Sequence, residues 1–322
     1  MLDQWLITPN PSPQHEKWAN ESQSLFASSS WGFITEALGA TPIYAWNQQD
    51  EVGVMIPIFK SYGIRIGFLG FPVLGQPWQG LSAAKINGVA SQLVKALKLH
   101  VMRFNESMSR LPDQSMAAAR PEVWIEDLQS WSTDGSKRLR KDLSFARRSC
   151  HGIELKISCD DHIGCHQLYE STVRKHGGKV RYTKKYFERI LAITKNQINL
   201  NIFTATGKKG EMHGFAILAI DGTTAYYLHG ATDEAGKRHG VSDLLLESLI
   251  LRARALGAEK LSLMASPWDQ TGLIKFKQKW GGERGLTITH DVTTGVIGSG
   301  ASAIMKIPNL NNHRLSKEFI QG

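Results

Sequence analysis

The chain has 322 residues, of which 42% are hydrophobic and 21% charged, with a formal net charge of +9 and three cysteines. A chain of this size and composition buries a sizeable core and divides into about two domains. Its apolar runs fall short of the ~18 residues of a membrane span, its start lacks the regions of a secretory leader, and the odd cysteine count argues against a disulfide framework.

In chain order, WGFITEALGA has apolar residues at helical spacing and ends in Gly39. PIYAW and EVGVMIPIFK read as strands across the polar turn NQQD, and IRIGFLG follows as a third. SAAKINGVASQLVKALKL predicts a helix with Ile86, Val89, Leu93 and Leu97 on one face, before the strands HVMRF and EVWIEDL. A helical stretch then runs from 136 to about residue 195 and holds two basic blocks, SKRLRKDLSFARRSC and RKHGGKVRYTKKYFER. Beyond it LNIFTAT and HGFAILAI are strands, Asp221-Gly222 is a hairpin signal into TTAYYLHG, and VSDLLLESLILRARALG is a helix with Gly257 at its C-terminal cap. EKLSLM, GLTITH and SAIMK complete the series as strands. The element order thus occurs twice without sequence identity. It predicts a mixed α/β (α+β) fold of two tandem domains, 1–132 and 133–322.

The net charge calls for an anionic partner and is met equally by nucleoside phosphates, coenzyme A, tRNA or anionic lipid. Neither half has a GxGxxG after its first strand, and no Walker loop occurs. Cys159, Asp161, His162, Cys165 and His166 cluster, but no second knuckle accompanies them, so no metal is expected. No helix-turn-helix, zinc-finger or RRM signature accompanies the basic blocks, which excludes sequence-specific DNA recognition. The expected location is cytoplasmic, with a peripheral position at the inner membrane face as a variant.

Between TTAYYLHG and the helix near Val241 lies the loop DEAGKRHGVS. Lys237 and Arg238 supply charge, Gly240 lets the backbone approach an anion, and the amides around Val241 and Ser242 open a helix. Ser242 serves as a cap or a phosphate donor. A pyrophosphate cradle and a capped exposed loop are both compatible with these residues. Downstream, GLIKFKQKWGG places Phe276 and Trp280 four apart among Lys275, Lys277 and Lys279. His229 ends a strand, and Tyr227 is one alternation away, which predicts that they share a face.

Lys237-x-x-Gly240-x-Ser242 resembles the pyrophosphate loop of GNAT acyltransferases. The run YYLHGAT, LLLESLILRARALGAEKLSL and TGLIKFKQKWGG is similar in order to the Fem-type aminoacyltransferases, which have two tandem GNAT-like domains and build peptidoglycan cross-bridges. Gly272, Leu273, Phe276, Lys277 and Gly281 match that family's Gly-Leu-x-x-Phe-Lys-x-x-x-Gly. The resemblance implies an N-acyltransferase in which Lys277 stabilises an oxyanion and His229 or Tyr227 handles the proton. Phe276, Arg140 and Asp269 are then expected to bind substrate. The donor is acyl-CoA or aminoacyl-tRNA, and the acceptor is an amine of a cell-wall precursor or small metabolite. One departure is plain: Ser262-Leu263-Met264-Ala265 stands where the family often has Asp-x-x-Gly. A Fem-like protein that binds an anionic ligand without catalysis is the alternative.

Overall fold

The structure, a computed structural model, describes residues 4–306 apart from 77, 79, 80, 82 and 109–118. The chain begins with β1 (Trp5–Thr8), α1 (Pro13–Glu21), α2 (Ser29–Glu36), β2 (Thr41–Asn47), β3 (Val52–Ser61), β4 (Ile64–Phe68), α3 (Ala83–Ala96) and β5 (Val101–Met108). It continues through β6 (Ala119–Ile125), α4 (Lys137–Ser149), β7 (Glu154–Lys156), α5 (His162–Lys175), α6 (Lys184–Thr194), β8 (Leu200–Thr206), β9 (Met212–Asp221) and β10 (Thr224–Thr232). Last come α7 (Glu234–His239), α8 (Val241–Ala255), β11 (Lys260–Ser262), α9 (Thr271–Gln278), β12 (Glu283–Thr293) and α10 (Gly295–Lys306).

These elements form two compact units. The described residues of the first are 4–107, 119 and 287–306, and those of the second are 108 and 120–286. The boundary expected at 132/133 therefore falls inside the second unit. The reason is strand pairing: β6 is antiparallel to β11, with Leu261 opposite Ile125 and Ser262 opposite Trp124. Val123 and Ile125 consequently enter the second unit's core.

Each unit contains an antiparallel meander whose third strand is followed by a helix and a parallel strand. In the first unit β2, β3 and β4 form the meander and β5 pairs parallel to β4. In the second, β8, β9 and β10 form it and β11 pairs parallel to β10. Parallel neighbours need a crossover, and α3 and α8 supply it. The tandem order read from the sequence is thus also a tandem topology.

The second unit's sheet has different helices on its two faces. Ala216, Leu218 and Ile220 of β9 face α8 and α4, in a core with Leu139, Leu143, Leu245, Leu249 and Trp280. Phe215, from the opposite alternation, meets Phe187 of α6, with ring centroids 5.8 Å apart. The basic helix α4 is amphipathic: Leu139, Leu143 and Ala146 at i, i+4 and i+7 are buried, and its arginines and lysines face outward. Ser136 caps it by accepting the Leu139 amide at 3.2 Å.

Two local expectations fail for identifiable reasons. SAIMK, expected as a strand, forms the end of α10, because Ala301 on this helix is buried against Ile66 and Val101 of its own unit. The loop DEAGKRHGVS contains a short helix, α7, initiated by Asp233, whose Oδ1 accepts the Gly236 amide at 2.6 Å.

Candidate active site

Strands β10 and β11 run together only over Thr224–Tyr226 and Lys260–Ser262, after which the register of β10 continues with β9 alone to Thr232. Diverging parallel strands leave backbone donors and acceptors facing the gap. At this point Met264 adopts a left-handed conformation, φ 61°, which costs a residue with a Cβ roughly 1–2 kcal/mol. The strain is held by named bonds. Ser262 Oγ accepts the Met264 amide at 2.9 Å and donates to Glu122 Oε1 on β6. The Met264 carbonyl then accepts from Lys277 Nζ at 2.8 Å, and Ser266 Oγ accepts from the same ammonium at 2.9 Å.

Lys277 is 4% exposed, and Glu122, Ser262 and Ser266 are sealed to 1% or less. Burial pushes the Lys277 pKa down to about 8, and the Glu122 charge opposes that shift. Lys277 is therefore not a solvated lysine, and Lys279 is not free either. Its Nζ lies 3.1 Å from Asp142 and 2.6 Å from Asp243, pinning α9 to α4 and α8. Burial raises the Asp243 pKa, while the hydrogen bond and charge of Lys279 oppose the rise. Lys275 alone of the three is exposed. Of the glycine pair that ends the motif, Gly281 is left-handed, φ 81°, while Gly282 has a steric role, since a Cβ there would lie 2.4 Å from Val123 Cγ1 and 2.9 Å from the Trp124 carbonyl.

Tyr227 and His229 do not share a face. A bulge falls between them: Tyr227 opposes Leu218 and His229 opposes Ile217. One extra residue reverses the alternation. Tyr227 packs on the core beneath α8 with its hydroxyl over Gly230, and burial raises its pKa to about 12. His229 points to the other side, among Tyr182, Tyr186 and Phe187 with centroids at 4.4, 5.5 and 5.9 Å. Its Nε2 is 2.9 Å from Tyr186 Oη. Burial lowers its pKa to about 3, so the imidazole is neutral at physiological pH and a weak proton acceptor.

The loop expected as a pyrophosphate cradle also forms a helix–helix joint. Gly240 is left-handed, φ 79°, and a Cβ there would lie 2.8 Å from Ala146 of α4. Its amide is already given to the carbonyls of Gly236 and Lys237, and the Asp243 amide goes to Gly240 O. Val241 is fully buried. Ser242 makes no cap, and its Oγ lies 3.4 Å from Thr232 Oγ1. Lys237 and Arg238 are exposed, as are Glu234 and His239 of the same segment. α4 occupies the side of Gly240 that lacks a Cβ, so no pyrophosphate seats on that side of the glycine.

The remaining expected residues are spread out. Phe276 shares α9 with Lys277 and lies half-buried against Trp280 at 6.5 Å. Arg140 is exposed on the first turn of α4 and donates to the Asp134 carbonyl. Asp269 is exposed in the segment before α9. Sequence reasoning missed Glu122 and Ser266. The available signal for Glu122 is an acid at the head of the run EVWIEDL, directly before Val123, Trp124 and Ile125, and Ser266 gives none.

Residues 137–277, which lie within the second unit, match the model of the acetyltransferase (GNAT) domain. No curated protein matches the sequence. Among solved structures the chain is similar to FemX, with a TM-score of 0.66 at 12% identity over 94% of this chain and 100% of that one. It is also similar to the C-terminal domain of a putative lysylphosphatidylglycerol synthetase from Agrobacterium fabrum, with a TM-score of 0.56 at 17% identity over 92% and 96%. A tandem GNAT protein from the clavulanic acid biosynthesis pathway gives 0.50 at 11% identity over 90% and 98%. At these identities the likeness is one of fold, a tandem Fem-type GNAT arrangement. Among the described residues no helix is long and apolar enough to cross a membrane, and no cluster of three or more His, Cys, Asp or Glu is placed to hold a metal.

Proposed function

We propose that the chain is an N-acyltransferase that moves an acyl or aminoacyl group from an ester or thioester to an amine, with Lys277 stabilising the oxyanion. The observation that carries this reading is the buried Lys277 ammonium at the point where β10 and β11 part. An ammonium has three N–H donors, and Met264 O and Ser266 Oγ take two of them. The third is available to the oxygen that gains charge when the amine attacks the carbonyl carbon. A fixed donor in a water-poor site needs no reorganisation as that charge develops. The new N–C bond forms, the C–O or C–S bond breaks, and the amine proton leaves with the departing group or solvent. His229, neutral and on the other face of the sheet, is read here as a wall of the substrate path.

One feature supports an aminoacyl ester on RNA as the donor: α4 exposes Lys137, Arg138, Arg140, Lys141, Arg147 and Arg148. An acceptor amine on a cell-envelope precursor accords with the FemX and lysylphosphatidylglycerol synthetase folds. The reading places the protein on the cytoplasmic side of the membrane, where such precursors are built.

The test combines binding and turnover. The purified chain is heated with acetyl-CoA, free CoA or bulk aminoacyl-tRNA, and then incubated with each donor and a panel of amine-bearing envelope precursors. The expected result is a melting shift with aminoacyl-tRNA that weakens with salt. It is joined by amide formation that Lys277→Met lowers by about 10²–10³-fold. A shift with acetyl-CoA alone would replace the donor. Binding without turnover by the unaltered chain would leave the non-catalytic alternative.

A further inference from the structure

Where the chain enters α5, two cysteines lie side by side, away from Lys277 and its partners. Cys159 Sγ and Cys165 Sγ are 3.6 Å apart. Cys159 precedes the helix N-cap Asp161, whose Oδ1 accepts the Gly164 amide at 2.8 Å, and Cys165 lies in the first turn. The two sulfurs differ in access. Cys165 is fully buried, with Met212 Sδ at 3.9 Å on its other side, whereas Cys159 is half-buried and open to solvent. They also differ in acidity. The contact with the Cys165 sulfur lowers the Cys159 pKa against the opposing effects of burial and the Asp161 and Asp160 carboxylates. That same contact, followed by burial, raises the Cys165 pKa.

We propose that Cys159 and Cys165 are a dithiol modification site oxidised by hydrogen peroxide, in which Cys159 is the attacking sulfur and Cys165 the resolving one. The Cys159 thiolate attacks a peroxide oxygen: an S–O bond forms, the O–O bond breaks and hydroxide leaves. Sulfur is oxidised to the sulfenic acid and peroxide is reduced. The Cys165 sulfur then attacks the Cys159 sulfur. The S–S bond forms, the S–O bond breaks, and the thiol proton leaves with the hydroxide as water. A disulfide needs the sulfurs at about 2 Å, so they must approach by roughly 1.5 Å, within reach of side-chain rotation. The resulting staple ties the first turn of α5 to the chain before it. This helix also carries Tyr169, whose hydroxyl accepts the Arg181 amide at 3.0 Å and whose ring lies 6.2 Å from His229.

Cys150 is the internal control. It is buried, its thiol donates to the His239 carbonyl at 3.3 Å, and burial raises its pKa. Both reacting cysteines fall in a single tryptic peptide, residues 157–174. The full chain is reduced, freed of reductant and titrated with hydrogen peroxide at neutral pH. Peptide masses are then read with and without dithiothreitol. The expected result is loss of two hydrogen atoms from peptide 157–174, reversed by dithiothreitol and about tenfold or more faster than any change at Cys150. Cys165→Ser is expected to stop at a dimedone-reactive sulfenic acid on Cys159, and Cys159→Ser to leave Cys165 reduced. Sulfinic or sulfonic acid on Cys159 without a disulfide in the unaltered protein would overturn the proposal. So would oxidation of Cys150 at an equal rate. The peptide result on the unaltered chain decides the matter even if a variant fails to fold.

Discussion

The buried ammonium of Lys277 has a cost that can be measured without knowing the substrate. Burial takes its pKa from 10.5 to about 8. At about 1.4 kcal/mol per pKa unit, keeping this side chain charged inside the fold costs about 3 kcal/mol at pH 7. The sign follows from proton counting. Below pH 8 both the folded and unfolded chains hold the proton, and the penalty is present in full. Between pH 8 and 10.5 the unfolded chain keeps the proton that the folded chain has lost, so stability rises with pH. Above 10.5 the contribution is flat. Lys277→Met removes the titrating group while conserving most of the volume. At pH 7 it relieves the charge penalty but leaves the Met264 carbonyl and Ser266 hydroxyl without their donor, at about 1 kcal/mol each, so the net change there is small. The informative quantity is the difference between unaltered and variant protein in urea midpoint, measured from pH 7 to 10. That difference should move toward the unaltered protein by about 1 kcal/mol per pH unit above pH 8. Parallel curves across the range would refute the reasoning, because they would mean that Lys277 titrates like a solvated lysine.

Three further outcomes follow from the same geometry. Glu122→Gln removes the charge that opposes the Lys277 shift, so the window of rising stability should open below pH 8; an unchanged window would remove Glu122 from the network. His229, with a pKa near 3, should give the nitrogen resonances of a neutral imidazole from pH 5 to 8. The unfolded chain takes up that proton below about pH 6.5, so His229→Gln should lose less stability on acidification than the unaltered protein; a titration near pH 6.5 would contradict the burial argument. Gly240→Ala must place a methyl 2.8 Å from Ala146 at a φ of 79°. It should destabilise the second unit by at least about 1–2 kcal/mol in urea unfolding. A neutral substitution would mean that α4 is not seated on that glycine.

Much of the fold was legible because its elements report themselves locally. LNIFTAT is strand β8, HGFAILAI lies within β9, and the Asp221-Gly222 signal is the β9–β10 hairpin, with Gly222 at a φ of 60°. The helix read from VSDLLLESLILRARALG is α8, and Gly257 follows its end in the left-handed conformation. Of the site, Lys277 was legible through the spacing of Gly272, Leu273, Phe276 and Gly281, although its burial was not. The missing acid at Ser262 looked like a loss. In the fold a carboxyl group stands beside that serine after all, contributed by Glu122 from a strand 140 residues earlier.

The sequence alone determined the period of each element, the doubled order of strands and helix, and the amphipathic basic helix, since each depends on neighbours a few residues apart. Only the tertiary structure decided what depends on distant partners. The bulge that separates Tyr227 from His229 exists in the register of β10 against β9. That the open side of Gly240 is covered by a helix was decided by Ala146, nearly a hundred residues away. The acidity of Lys277 likewise comes from its burial on the inner side of α9, where water is excluded and the compensating groups come from β6 and the segment after β11. Local spacing can place a lysine on a helix, but its charge state depends on the desolvation and the partners that distant segments impose.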